Sequence, residues 1–202
     1  AIYDLSFQRV KTSLVPFDLH PSIEPLITRL VHACGMPDIV PALTWDEAVI
    51  DTASAALQRG APILCDCEMV AAGITRRFLP ADNQVTVTLN DACVPALAKT
   101  LSTTRSAAAV TLWEPYLDGA IIAIGNAPTA LFAVLELIER TRIQPAAILG
   151  FPVGFVGAAE SKDALCEAAA CPFITLTGTR GGSALASAAV NALCRIATGD
   201  KQ

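Results

Sequence analysis

The chain has 202 residues, 53% of them apolar and 16% charged, enough to close a hydrophobic core without disulfides or metal ions. Its net charge is −5 and no basic run exceeds two residues, which excludes charge-driven binding to nucleic acid. Two long uncharged stretches, 119–135 and 143–159, carry Gly and Pro in mid-run and read as strand, turn and helix start, not as membrane spans.

The N-terminus, AIYDLSFQRV, has no apolar leader stretch, so a cytoplasmic location is expected. The chain begins abruptly at Ala1, and a short preceding segment is expected to be missing. Of the two histidines, His20 lies in a polar, proline-flanked loop. His32 falls near the end of residues 23–34 (IEPLITRLVHAC), whose apolar side chains recur at helical spacing before Gly35 as a stop signal. A histidine titrates near neutral pH and suits proton transfer. It equally suits pairing with the negative end of its own helix. Thr44, with Glu47 three residues on, forms a capping-box pattern and predicts a helix from there to about Arg59, stopped by Gly60.

Beyond Gly60 short apolar runs alternate with helical stretches. The runs are 62–65 (PILC), 85–89 (VTVTL), 120–124 (AIIAI), 146–149 (AAIL) and 173–176 (FITL). The helix candidates are 68–72, 94–113, 129–140, 160–170 and 183–197. Apolar strands with little alternation, joined by helices, predict an α/β fold. It is expected as a single domain over 1–202, with a mostly parallel sheet, helices on both faces and a helical N-terminal part. Ligands of such sheets bind beyond the carboxyl ends of the strands, which here are 66–68, 125–127, 150–154 and 178–182.

The seven cysteines fit no disulfide framework and include no C-x-x-C pair. With two histidines, a zinc site is not expected, and the thiols read as buried groups in a reducing compartment. GFPVGFVG at 150–157 is not spaced as a dinucleotide loop, and neither a P-loop nor a G-x-S-x-G elbow is present. A nucleotide-binding protein therefore fails on spacing. GTRGGS at 178–183 puts glycines before a helix that Ser183 could cap. Arg180 there can pair with an anion, though a plain capping turn reads the same. Arg105, in STTRSAAA, can grip a carboxylate or simply face water, as can Thr75 and Arg76 after Gly73.

Seven segments together resemble one family. They are I-Y-x-x-S-F at 2–7, V-H-A-C-G at 31–35, G-A-P-I-L-C-D-x-E-M-V at 60–70 and T-R-S-A-A-A at 104–109. A-I-G-N-A-P-T-A-L-F at 123–132, P-A-A-I-L-G-x-P-V-G-F-V-G-A-A-E-S-K at 145–162 and R-G-G-S-A at 180–184 complete the set. The chain so resembles the precorrin-8X methylmutases, also called cobalt-precorrin-8 methylmutases, from its first residues to about 191.

The resemblance implies an α/β homodimer whose substrate cavity both subunits line. It implies an isomerase that moves a methyl group from C11 to C12 of precorrin-8X, giving hydrogenobyrinic acid for cobalamin synthesis, without metal or organic cofactor. It matches the family's catalytic histidine to His32. It puts Ser6, Thr75, Arg105, Gly125 and Asn126 around the macrocycle. Arg76, Gly154, Arg180, Gly181 and Gly182 join them from loop chemistry. Where related sequences carry Arg five residues after the Ser-Phe serine, this chain has Lys11, a less directional carboxylate partner. Two other readings stay open: a tetrapyrrole carrier without chemistry, and a cobalt-precorrin-8 methylmutase of the anaerobic route. The wording H-A-C-G and C-D-x-E-M-V leans toward the metal-free substrate.

Overall fold

The computed structural model describes residues 2–199. Its N-terminal part is helical, as expected, and begins with a helix not foreseen, α1 (Ile2–Leu14). Tyr3, Phe7, Val10 and Leu14 recur along it at helical spacing, but only Leu14 is buried. It lies along α2 (Glu24–Cys34). That helix buries Leu26, Ile27, Leu30 and Val31 in one stripe. Gly35, at φ 70°, ends it and donates its N–H to the Val31 carbonyl.

The capping-box expectation fails at Thr44. Leu43–Trp45 is a strand, β1, and the helix that follows, α3, covers only Val49–Gln58. Asp46 takes the turn between them, its carboxylate accepting the Ala48 N–H at 2.8 Å. Pairing with a strand from the far end of the chain, Thr44 beside Thr175, satisfies this backbone and outweighs the local helix signal.

The remaining chain alternates as expected. It runs through β2 (Ile63–Cys65), α4 (Glu68–Gly73), β3 (Val85–Val87), α5 (Val94–Thr100) and α6 (Arg105–Val110). Then come β4 (Ile121–Ile124), α7 (Pro128–Thr141), β5 (Ala147–Gly150), α8 (Ala158–Ala168), β6 (Phe173–Leu176) and α9 (Ser183–Ala197). The single helix expected over 94–113 is broken. Ser102 takes a left-handed φ of 50°, and Thr104 caps α6 by accepting the Ala107 N–H. A 3₁₀ turn, Thr111–Tyr116, then turns Trp113 inward to donate to the Thr88 hydroxyl at 2.9 Å.

The six strands form one sheet in the order β1-β6-β5-β4-β2-β3. β1 is antiparallel to β6, and the other pairs are parallel. Alternate residues serve opposite faces. Cys65, Ala123, Leu149 and Ile174 meet the layer of α2, α3, α4 and α9. Leu64, Ile122, Ile148 and Phe173 meet α7 and its neighbours. Both faces are covered, which is why the inner strands β2, β4 and β5 read as unbroken apolar runs. The alanine-rich α9 comes so close to β4 that a Cβ on Gly125 would stand 2.6 Å from the Ser183 Cα.

Candidate active site

His32 sits on the exposed face of the last turn of α2. Three residues of α1 reach it. The Ser6 hydroxyl is 3.3 Å from Nδ1, and the Phe7 ring stacks on the imidazole with centroids 4.3 Å apart at 26°. Tyr3 meets it edge-on at 6.1 Å. One turn earlier on α2, Arg29 lies 5.0 Å over the Phe7 ring and donates to the Tyr3 hydroxyl. Spacings of three and four residues produce this cluster: 3, 6 and 7 on α1 face 29 and 32 on α2. The contacts fix the ring plane through Phe7 and the ring rotation through Ser6. Among the described residues Nε2 has no hydrogen-bond partner, and His32 is exposed, so this nitrogen is open to solvent.

A hollow of about 700 Å³ opens beside the cluster, between α1, the first half of α2 and the last turn of α9. Tyr3, Phe7 and Arg29 are common to its wall and to the His32 cluster. Lys11, one of the predicted binding residues, lines it with Glu24, Thr28 and Arg195. His32 is not itself in the wall; it touches the hollow through the two aromatic rings. The volume suits an organic ligand.

The other predicted residues gather at the carboxyl edge in separate groups. Gly154, Arg180, Gly181 and Gly182 lie on the loops after β5 and β6. The Arg180 guanidinium is engaged within the chain, donating to the Asp38 carboxylate at 2.6 Å and to its carbonyl at 3.3 Å. Asp38 follows α2 closely in sequence, so this pair brings the α2 end to the same edge. Gly182, at φ 125°, is the N-cap of α9. Ser183 is therefore the first helical residue and not the expected cap; its hydroxyl lies 3.5 Å from the Cys67 sulfur.

Gly125 and Asn126 are held by a group that the sequence reading passed over. The buried Asp66 carboxylate accepts the N–H groups of Gly125 at 2.9 Å, Asn126 at 2.9 Å and Ala127 at 2.8 Å. Thr75 donates its N–H to the Asn191 side chain, which returns a bond to the Gly73 carbonyl. The exposed Arg76 follows directly. Arg105 starts α6 and donates to the Leu89 carbonyl and the Asn90 side chain, both at 3.2 Å. Arg105 and His32 thus belong to helices on opposite faces of the sheet, and one chain does not bring them into a single hollow.

Sequence reasoning also missed Tyr3, Phe7 and Arg29. Tyr3 and Phe7 carried a readable signal, aromatic residues four apart, had α1 been foreseen. The solvated reading of His20 fits its exposed place beside Ser22. The thiols divide. Cys65, Cys67, Cys171 and Cys194 are buried, Cys34 and Cys166 half-buried, and Cys93 is exposed, contrary to expectation. Burial pushes the Cys171 and Cys194 thiols up to about 12, and Cys65 higher still, which keeps them protonated and unreactive.

A family model described as precorrin-8X methylmutase matches residues 1–196. The chain is 50% identical to the precorrin-8X methylmutase of Pseudomonas aeruginosa over 194 residues, 96% of this chain and 93% of that one. It is 37% identical to the cobalt-precorrin-8 methylmutase of Methanocaldococcus jannaschii over 176 residues, 87% and 80% of the two chains. The solved precorrin-8X methylmutase of Thermus thermophilus superposes with a TM-score of 0.88 at 36% identity, covering 98% of each chain.

Proposed function

This chain belongs to the precorrin-8X methylmutase family, and we propose on that premise that His32 is the proton donor for its methyl shift. The enzyme is an isomerase, a methylmutase of cobalamin synthesis. The reaction moves a methyl group from C11 to C12 of precorrin-8X and yields hydrogenobyrinic acid. No atom is gained or lost. What the migration needs is a π-system depleted of electrons where the methyl arrives.

The imidazolium of His32 supplies that bias. Its Nδ1–H donates to the Ser6 hydroxyl, and Nε2–H is given to the ring nitrogen nearest the migrating methyl. The proton returns to Nε2 once the methyl has settled, so the acid is regenerated. Assistance of this kind is worth about 10²–10⁴-fold. The single observation that carries the reading is the exposed imidazole, held by Ser6 and by Phe7 of the adjoining hollow's wall, with no hydrogen-bond partner at Nε2 among the described residues.

Carboxylates on the macrocycle's rim find their partners in Lys11, Arg76 and Arg105 and the Thr75 hydroxyl, while Gly125, Asn126, Gly154, Gly181 and Gly182 give the macrocycle close access to the backbone, the N–H groups of Gly125, Asn126, Gly154 and Gly182 being already donated within the chain. Arg180, engaged by Asp38, takes part only by exchanging that partner. These groups stand apart in one chain, which supports a homodimer whose cavity both copies line. Identity of 50% to proteins named for precorrin-8X, against 37% to one named for the cobalt form, favours the metal-free substrate. Among the described residues no helix is long and apolar enough to cross a membrane, in keeping with work in the cytoplasm.

His32→Asn tests the role. Turnover of precorrin-8X, followed as the visible spectrum shifts to that of hydrogenobyrinic acid, is expected to fall at least about 100-fold, with product affinity retained. Turnover near that of the wild type refutes it.

A further inference from the structure

The two glycine-rich loops, 151–157 after β5 and 177–182 after β6, are stitched together by their own backbones. Gly154 donates its N–H to the Thr179 carbonyl at 3.1 Å, and Gly182 donates to Phe151 at 2.8 Å. Gly181 lies so near the Phe151 and Pro152 carbonyls that any Cβ there would collide with them. Beneath this seam lies Lys162 of α8, fully buried. Its Nζ donates to the Pro152 carbonyl at 3.2 Å and to the Arg180 carbonyl at 2.7 Å, one from each loop.

Among the described residues no carboxylate lies within ion-pair distance of this amine. Desolvation opposes its charge and pushes it down to about 8, against a weaker pull from the neighbouring Asp163. A core position of this size is ordinarily filled by Leu or Met, which carry no such penalty. A neutral amine has two N–H groups, matching the two carbonyls, whereas the ammonium carries a third that finds no acceptor among the described residues. What the lysine provides here, and an apolar residue cannot, is a link between two loops.

We propose that Lys162 is a positioning residue of the substrate site, whose amine locks the β5–α8 and β6–α9 loops into the one arrangement that meets the tetrapyrrole. The proposal rests on the functional reading above, which places Gly154, Gly181 and Gly182 against the substrate. Lys162 touches no substrate; it acts through the loops. Its loss therefore weakens binding more than chemistry, whereas a purely structural lysine would loosen the whole sheet.

Lys162→Met keeps the apolar stem and removes both donors. Its KM for precorrin-8X is expected to rise about tenfold, with a much smaller change in kcat. Hydrogen exchange should quicken at the Gly154 and Gly182 amides and stay unchanged at Ile122 in the central strand. A KM equal to the wild type's, or unchanged exchange in the two loops, overturns the proposal. Should this variant unfold, Lys162→Ala with added n-butylamine decides: recovery of KM with amine supports the clamp, and a folded variant that the amine does not restore overturns it. Wild-type protein that leaves the precorrin-8X spectrum unchanged would overturn the functional reading instead, and loop exchange in the variant would still report on the clamp.

Discussion

His32 and Lys162 are both basic groups on helices that cover the sheet, and their surroundings assign them opposite work. His32 stands outside, its ring turned by Ser6 and flattened against Phe7. Ser6→Ala leaves the imidazole in place and frees its rotation. It should lower kcat about tenfold, the worth of one hydrogen bond, with melting temperature unchanged. Asp66 works at the same scale: Asp66→Asn replaces an acceptor of three N–H groups by one that must turn a donor toward them. A loss of about 2 kcal/mol in urea unfolding is expected. The pH dependence of stability follows from buried groups. An unfolded lysine binds its proton up to 10.5, and folded Lys162 gives it up at about 8. Across that window the unfolded chain binds more protons, so this group makes stability rise with pH. The buried thiols do the reverse. Unfolded thiols ionise near 9 and folded Cys171 and Cys194 only near 12, so their contribution is complete below 9 and fades above it. Urea unfolding of the wild type should strengthen from pH 7 to about 9 and weaken beyond; Lys162→Met should lack the rise.

Elements were legible where both faces of a strand are buried or where a glycine stops a helix. Residues 173–176 and 183–197 were read with their true bounds, because β6 is buried throughout and apolar but for Thr175, and α9 starts directly after a glycine. The failures share one cause, a local signal outvoted by distant contact. The capping box at Thr44 lost to strand pairing with β6, and the helix over 94–113 broke where Thr104 found better use. Its hydroxyl accepts the Ala107 N–H and donates to Thr129, tying α6 to the start of α7. Thr104→Ala should therefore cost about 1 kcal/mol of stability in urea unfolding. α1 escaped notice although Tyr3, Phe7, Val10 and Leu14 recur at helical spacing; of that stripe only Leu14 is fully buried.

At the scale of the molecule, the sheet separates the two functional groups most worth joining. His32 rides on α2 over one face and Arg105 opens α6 on the other side. A cavity using both within one chain has no place to form; in the homodimer proposed above, a second copy would bring its own Arg105 to the first copy's His32. Sedimentation should find a dimer. Refolding His32→Asn and Arg105→Ala chains together should restore activity that neither has alone, toward about a quarter of the wild type's for random pairing. If no activity returns, the site is not shared. The sequence by itself determined the layered α/β architecture, since short apolar runs with little alternation, each followed by a helical stretch, are the mark of strands covered on both faces. It also offered His32 as the candidate proton donor, through the resemblance to a family whose pattern runs most of the length of the chain. Only the tertiary structure decided what holds that imidazole, what Asp66 and Lys162 do, and that Arg180 is engaged by Asp38. Those partners are 26, 59 to 61, 10 to 18 and 142 residues away. Side chains that meet over such distances leave no periodic trace along the chain, and a lysine inside a helix looks the same in sequence whether it faces water or two carbonyls.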